Sequence, residues 1–353
     1  MEINMEKKTK QISVGGVLIG GGAPVSVQTM CSTDTRDAEN TAEQINAAAA
    51  AGCDIIRVAV PDMEAAKAIS DIKKRINIPL VADIHFDYRL ALEALAGGVD
   101  KIRINPGNIG SVDRVRAVAR ACEERNVPIR IGVNSGSVEK ALLEKYGGPV
   151  PEALVESALG HARILEDVGF SDICLSVKSS DVVTTVKAYR LLSARCDYPL
   201  HLGVTEAGTE YLGAINSAVG IGSLLLDRIG DTIRVSLTAD PLREVPAGIA
   251  ILKAAGRRTG GVKFVSCPTC GRTEIDLISL ANEVQGRLEG INRDITVAVM
   301  GCVVNGPGEA READFGIAGG KGEGLIFKKG EIVKKAPFEA LADELIELIE
   351  RDR

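Results

Sequence analysis

Eight times in succession, a short run rich in Val, Ile or Leu is followed by polar or glycine residues and then a helix-like stretch. The predicted strands are Val25–Met30, Asp54–Val60, Pro79–His85, Lys101–Asn105, Pro128–Asn134, Asp172–Lys178, Pro199–Thr205 and Thr232–Thr238. Between them lie helical stretches such as Asp37–Ala51, Met63–Arg75, Val112–Arg125, Pro151–Val168 and Asp181–Arg195. Several open beside Asp, Ser or Pro, as helix N-termini prefer. Buried strands separated by helices belong to parallel βα units. Eight units over roughly 230 residues match a closed, TIM-type (β/α)8 barrel. An open doubly wound sheet is the competitor, but its glycine-rich fingerprint between strand and helix is missing. Gly15, Gly16, Gly20, Gly21 and Gly22 precede the first strand, so they are expected to shape a hairpin under the barrel, not a phosphate cradle.

The chain has 353 residues, more than one core usually holds. After Leu242–Ala255, the last barrel helix, the basic run Gly256-Arg257-Arg258-Thr259-Gly260-Gly261 reads as a linker. A small α/β domain follows, with strands at Val262–Val265, Thr296–Met300, Asp314–Ile317 and Leu325–Lys328. Its helices are predicted at Glu274–Leu288 and Phe338–Arg351, and glycines 319 to 324 mark a hairpin turn. The expected division is therefore residues 1–257, a substrate-binding barrel, and 258–353, the second domain.

Charge narrows the function. Lys and Arg number 42 against 48 Asp and Glu, giving a net charge of −6, and aromatics are 3% with no Trp. Neither a basic footprint nor a base-stacking surface for nucleic acid is expected. No stretch approaches the length of a membrane span, and the N-terminus lacks the apolar core of a signal peptide. A cytoplasmic location is expected. Eight cysteines in such a chain suggest thiols or metal ligands, not a disulfide framework.

Cys267 and Cys270 form a Cys-Pro-Thr-Cys pair, and Cys302 follows after a helix-length gap. Two thiolates on one turn and a third from a distant turn can converge on one metal. Three ligands are one short of a tetrahedral zinc site or a plain four-cysteine cluster. A cubane on three thiolates leaves one iron open for chemistry. Glu309 lies beyond an Asn-Gly-Pro-Gly turn that can fold the chain back toward that iron. It reads equally as a harder, more labile fourth ligand or as a solvated carboxylate. Cys31 ends the first strand on the rim and is expected to be a bystander. Cys53, Cys122, Cys174 and Cys196 are expected to be small core hydrophobes.

In a (β/α)8 barrel the active site gathers at the C-terminal ends of the strands. Those ends here carry Arg57, then Asp83 and His85, Arg103 and Asn105, and Arg130 and Asn134. Lys178, Thr205, Glu206, Arg234 and Ser236 follow. Residues two apart share a face. Buried arginine without a partner is costly, and Asp83 and Glu206 cannot offset five cations. A multiply charged anion is the simpler counter-ion, and guanidinium forks suit phosphate. A compact phosphate or diphosphate ligand is expected. His161, on a helix, and His201, at the start of a strand, are expected to be structural.

Several runs carry a specific resemblance: Val81-Ala82-Asp83-Ile84-His85-Phe86-Asp87-Tyr88, Arg103-Ile104-Asn105-Pro106-Gly107-Asn108, Ile131-Gly132-Val133-Asn134, Ser176-Val177-Lys178, Gly203-Val204-Thr205-Glu206-Ala207-Gly208, Cys267-Pro268-Thr269-Cys270 and Gly301-Cys302-Val303-Val304-Asn305-Gly306-Pro307-Gly308-Glu309. In this order, and over nearly the whole chain, they resemble the 4-hydroxy-3-methylbut-2-enyl diphosphate synthases of the non-mevalonate isoprenoid pathway. The resemblance implies a barrel followed by a [4Fe–4S] domain. It also implies a homodimer in which one subunit's cluster domain caps the other's barrel. It implies Cys267, Cys270, Cys302 and Glu309 as cluster ligands. It places Arg57, His85, Arg103, Asn105, Arg130, Asn134, Lys178, Glu206, Arg234 and Ser236 in the substrate pocket, where the chemical reading adds Asp83. The implied reaction is reductive opening and dehydroxylation of 2-C-methyl-D-erythritol 2,4-cyclodiphosphate, with flavodoxin or ferredoxin as donor. Glu206 is the expected proton donor, His85 the second choice. Cys31 stands where relatives are expected to carry a small polar residue, and the large insertion of plant-type relatives is absent. The alternatives are a non-catalytic iron–sulfur carrier or sensor and a zinc-stabilised enzyme acting on a phosphorylated substrate.

Overall fold

A computed structural model describes residues 8–302 and 312–352. The chain divides into two compact units, Met1–Arg258 and Thr259–Arg353. The first begins with an antiparallel hairpin, β1 (Ile12–Val14) and β2 (Val17–Ile19). It turns at Gly15 and Gly16, whose φ angles of 54° and 93° suit glycine best. Ile12, Val14 and Ile19 pack against Ile55, Val81 and Cys174 inside the barrel. The hairpin thus plugs the end where the barrel strands begin, as the early glycines led us to expect.

Among the described residues, eight parallel strands form the barrel sheet. They are β3 (Ser26–Met30), β4 (Ile55–Ala59), β5 (Leu80–Asp83), β6 (Lys101–Ile104), β7 (Ile129–Asn134), β8 (Ile173–Lys178), β9 (His201–Leu202) and β10 (Thr232–Ile233). Sequential neighbours pair from β3 to β8, β10 joins β3 to β9, and a bridge between Leu175 and Leu200 completes the circuit. Strands β9 and β10 are shorter than their apolar runs predict. Arg234 N–H still donates to Leu202 O (3.0 Å), but the ladder ends there, where Thr205, Arg234 and Ser236 turn to line the barrel mouth. Asp62 caps the helix Met63–Lys73 through Ala65 N (2.9 Å), and Asp181 caps Val182–Arg195 through Thr184 N (2.6 Å). Each satisfies an amide that the helix itself leaves unpaired.

The second unit is a five-stranded mixed sheet: β11 (Val262–Ser266), β12 (Ile295–Met300), β13 (Phe315–Gly319), β14 (Glu323–Lys328) and β15 (Glu331–Pro337). The first three run parallel and the rest antiparallel. Helices Leu277–Leu288 and Leu341–Arg351 cover it through Leu280, Val284, Leu345 and Ile349. Strand β15 escapes the apolar-run reading because it is a polar edge, exposed from Glu331 to Lys335. Among the described residues no helix is long and apolar enough to cross a membrane.

Candidate active site and metal centre

Alternation along the parallel strands turns one polar residue after another into the barrel interior. Arg57, Asp83, Arg103, Arg130 and Lys178 come from β4 to β8, and Arg234 from just beyond β10. His85, Asn134 and Ser236 join them, together with Gly132, Ser176 and Thr205. They line a cavity of about 120 Å³, enough for several waters or a small ligand and too large for a packing defect.

Five cations face this cavity and Asp83 supplies the one lining carboxylate among the described residues. Arg103 Nη1 donates to Asp83 Oδ1 (3.1 Å) and to His85 Nε2 (3.2 Å), while Nη2 donates to Gly132 O (2.8 Å). Its fork is fixed on three sides. Arg57 lies 3.8 Å from Asp83 and donates to Met30 Sδ (2.8 and 3.1 Å). Burial pushes the Asp83 carboxyl up, but Arg57 and Arg103 outweigh it and hold the group below its ordinary value. Arg234 is held by Glu244 (3.1 and 3.3 Å), which also accepts from Thr29 Oγ1 (2.6 Å) and Leu237 N (3.0 Å).

Arg130 is different. It is 2% exposed, and its Nε and Nη1 have no hydrogen-bond partner among the described residues. Burial, with Arg103 next, pushes its pKa down to about 10. Lys178 is 8% exposed and has no ion pair among the described residues. A buried guanidinium with idle donors is expensive unless an anion meets it.

Two expected site residues stand apart. Asn105 is buried beneath the surface, where Oδ1 accepts from Gly132 N (3.2 Å), so it braces β7. Glu206 is exposed and left-handed (φ 52°) and does not line the cavity. Met30, Ser176 and Glu244 were not singled out by sequence. Met30 and Ser176 share the inward parity of their strands, which could have flagged them; Glu244 sits on a helix and gave no signal.

His161 accepts from Gly107 N at Nδ1 (3.1 Å) and meets Glu139 at Nε2 (2.8 Å), a structural arrangement. Cys31, Cys53, Cys122 and Cys174 are buried, and burial pushes their thiols up to about 12, 11, 12 and 11, so they are inert. Cys196 is half-buried at the end of its helix.

In the second unit, Cys267 directly follows β11, and Cys302 lies two residues past β12, its parallel neighbour. Gly301 N–H donates to Cys267 Sγ (3.3 Å), tying the two turns together. Cys270 is exposed, and the Arg272 backbone amide holds its thiol below the ordinary value. Among the described residues, no three His, Cys, Asp or Glu side chains form a ready-made metal group. Glu309 lies outside the described residues. The thiol set still fits an iron–sulfur group: soft donors on adjoining turns, with amide N–H groups directed at sulfur.

A family model described as the GcpE TIM-barrel domain matches residues 9–249, and another described as the GcpE protein C-terminal domain matches 263–351. The chain is 63% identical over 347 residues to "4-hydroxy-3-methylbut-2-en-1-yl diphosphate synthase (flavodoxin)" of Geobacter sulfurreducens, covering 98% of each. It is 62% identical over 344 residues to the protein of that name in Clostridium perfringens, covering 98% of this chain and 99% of that one. Among solved structures, the dihydropteroate synthase of Stenotrophomonas maltophilia matches with TM-score 0.52 and 13% identity, over 70% of this chain and 97% of that one. The Yersinia pestis dihydropteroate synthase matches with TM-score 0.50 and 12% identity, over 70% and 99%. Such distant likeness shows the barrel fold alone. By both family models and by its full-length relatives, this chain belongs to the GcpE family.

Proposed function

We propose that this chain catalyses the reductive opening of 2-C-methyl-D-erythritol 2,4-cyclodiphosphate to (E)-4-hydroxy-3-methylbut-2-enyl diphosphate, with flavodoxin as electron donor. The relatives' printed names support the product and the donor, and favour flavodoxin over ferredoxin. The carrying observation is Arg130: a buried guanidinium with idle donors, in a pocket where the carboxylates already serve Arg57, Arg103 and Arg234. A non-catalytic carrier would leave that pocket without a use.

The cyclic dianion gains two electrons and one proton and yields the open diphosphate trianion and water. Negative charge therefore grows on the diphosphate, where fixed cations help most. Arg130 and Lys178 would meet the phosphate oxygens directly, while Arg103, held by Asp83 and Gly132, presents a preset fork. Arg57 and Arg234, either side of Met30, would close the cradle, with Asn134 and Ser236 supplying neutral hydrogen bonds. Glu206 would give the proton to the departing hydroxyl, with His85, bonded to Arg103, as second choice. Cys267, Cys270 and Cys302, with Glu309, would hold a [4Fe–4S] cluster, which supplies the electrons and a Lewis-acidic iron when bound. The barrel thus serves the substrate and the C-terminal unit the cluster.

We place this work in the cytoplasm, where cysteine thiols stay reduced and able to ligate a cluster. The chain would act as a homodimer. The helix Glu210–Leu226 supports this by exposing Tyr211, Ile215, Val219 and Leu226 at helical spacing.

Anaerobic assay with the cyclic diphosphate and reduced flavodoxin tests the reading. Turnover by a brown, iron- and sulfide-containing protein is expected; a colourless zinc protein would refute it. Glu206→Gln should keep the colour and lose most turnover, and full activity would remove Glu206 from the mechanism.

A further inference from the structure

The pocket's charge is more than its own acids can balance. Arg57, Arg103, Arg130, Arg234 and Lys178 share it. Asp83 serves Arg57 and Arg103, and Glu244 serves Arg234. Even Arg130, pushed down to about 10, keeps its proton at pH 8, whereas an enclosed lysine can release one. Relief of the excess charge therefore falls on Lys178.

Its surroundings leave it little choice. The chain of Lys178 lies over Gly203, where an added Cβ would come within 2.5 Å of Nζ, so backbone replaces hydration on that side. Arg130 and Asn134 face it from β7, Arg234 from beyond β10, and Arg57, Arg103 and Asp83 from across the barrel. His201 on β9 is fully buried below, with neither ring nitrogen partnered among the described residues. Lys101 on β6 and Cys174 on Lys178's own strand lie deeper still, and His85 stands at the rim. Asp83, the one lining acid among the described residues, is already engaged by two arginines, and Glu244 is engaged by Arg234.

We infer that Lys178 is an uncharged amine in the free pocket and takes up a proton when the diphosphate binds. The inference rests on the substrate reading above. Burial first, then Arg130, Arg234, Arg57 and Arg103, push the amine well below its ordinary value. A dianion placed among these groups cancels the excess positive charge that the four arginines keep over Asp83 and Glu244, and so removes the repulsion on a charged amine. The nitrogen lone pair then takes a proton from solvent and forms a third N–H bond, with no electron transferred. Substrate thus brings one proton into the pocket, the number its reductive opening consumes. A ligand of the same shape but lower charge would recruit no proton and bind less well, so Lys178 becomes a determinant of specificity for dianions.

Isothermal titration calorimetry tests this on the cluster-loaded protein without reductant, at pH 8, in two buffers of different ionisation enthalpy. Each phosphorus of the cyclic diphosphate carries one strongly acidic oxygen, so the ligand does not titrate there and any proton enters the protein. Uptake of roughly 0.5–1 proton per ligand is expected for the parent. Lys178→Arg keeps the charge but cannot titrate; it should bind with uptake reduced at least about fivefold. His85→Gln should leave uptake in place. The parent's association constant should also fall as pH rises, by up to about tenfold per pH unit. No uptake in the parent, or full uptake in Lys178→Arg, overturns the inference; the latter would assign the proton to Lys101 or His201. Should Lys178→Arg not bind, a parent affinity independent of pH overturns it equally. Failure of the parent to bind the cyclic diphosphate sinks the substrate reading itself.

Discussion

Lys101 offers a sharp test of how this barrel carries its charge. It is fully buried, and its Nζ has no partner among the described residues. On β6 it pairs across from Val81, in the layer between the hairpin plug and the arginines. Burial lowers its pKa from 10.5 to about 7; Cys174 offsets this slightly, while Arg130 and Arg57 add to it. At about 1.4 kcal/mol per tenfold change in proton affinity, that drop costs the folded state about 4 kcal/mol at pH 7, where the folded amine is half protonated. The sign follows from linkage. Above pH 10.5 both states hold the neutral amine and the cost is nil; it grows as pH falls and is complete below pH 7. Lys101→Met keeps the length of the chain and removes the titrating group. The variant should be more stable than the parent by about 4 kcal/mol at pH 7 but by only about 2 kcal/mol at pH 9. For a domain of this size the larger figure moves the thermal midpoint by on the order of 10 °C. The assay is the midpoint difference between variant and parent at the two pH values, which cancels changes common to both. An equal gap at both pH values, or a variant less stable at pH 7, would refute the reasoning.

Arg130→Met should lower kcat/KM by about 10²–10³-fold while leaving the midpoint unchanged or higher, because the lost group serves the anion and not the fold. Steady-state kinetics beside a melting curve separate the two effects. Gly132→Ala places a Cβ 2.8 Å from Arg103 Nε, so it should displace that fork and raise KM about tenfold in a still-folded barrel. Cys302→Ser should lose bound iron and brown colour, measured by metal analysis and absorbance. Cys31→Ala, in the barrel core, should keep both.

Much of the barrel could be read from local pattern. Apolar runs of strand length, Asp caps at residues 62 and 181, and glycines ahead of the first strand depend on neighbours a few residues away. Inward parity likewise put Arg57, Asp83, Arg103, Arg130 and Lys178 on one rim before any contact was known. The polar edge Glu331–Pro337 was invisible because an exposed edge strand needs no apolar run.

Period and spacing determined where the cations would gather, since the alternation of a strand is built into its covalent geometry. Which cations stay uncompensated was decided only by closure of the barrel. Glu244 reaches Arg234 from a helix, Met30 comes between Arg57 and Arg234, and Asn105 turns to brace Gly132. Charge compensation depends on separations of a few ångströms between residues far apart in the chain, and Coulomb energy is lost or gained over that range. No local pattern encodes those separations, so the idle guanidinium of Arg130 emerges only in three dimensions.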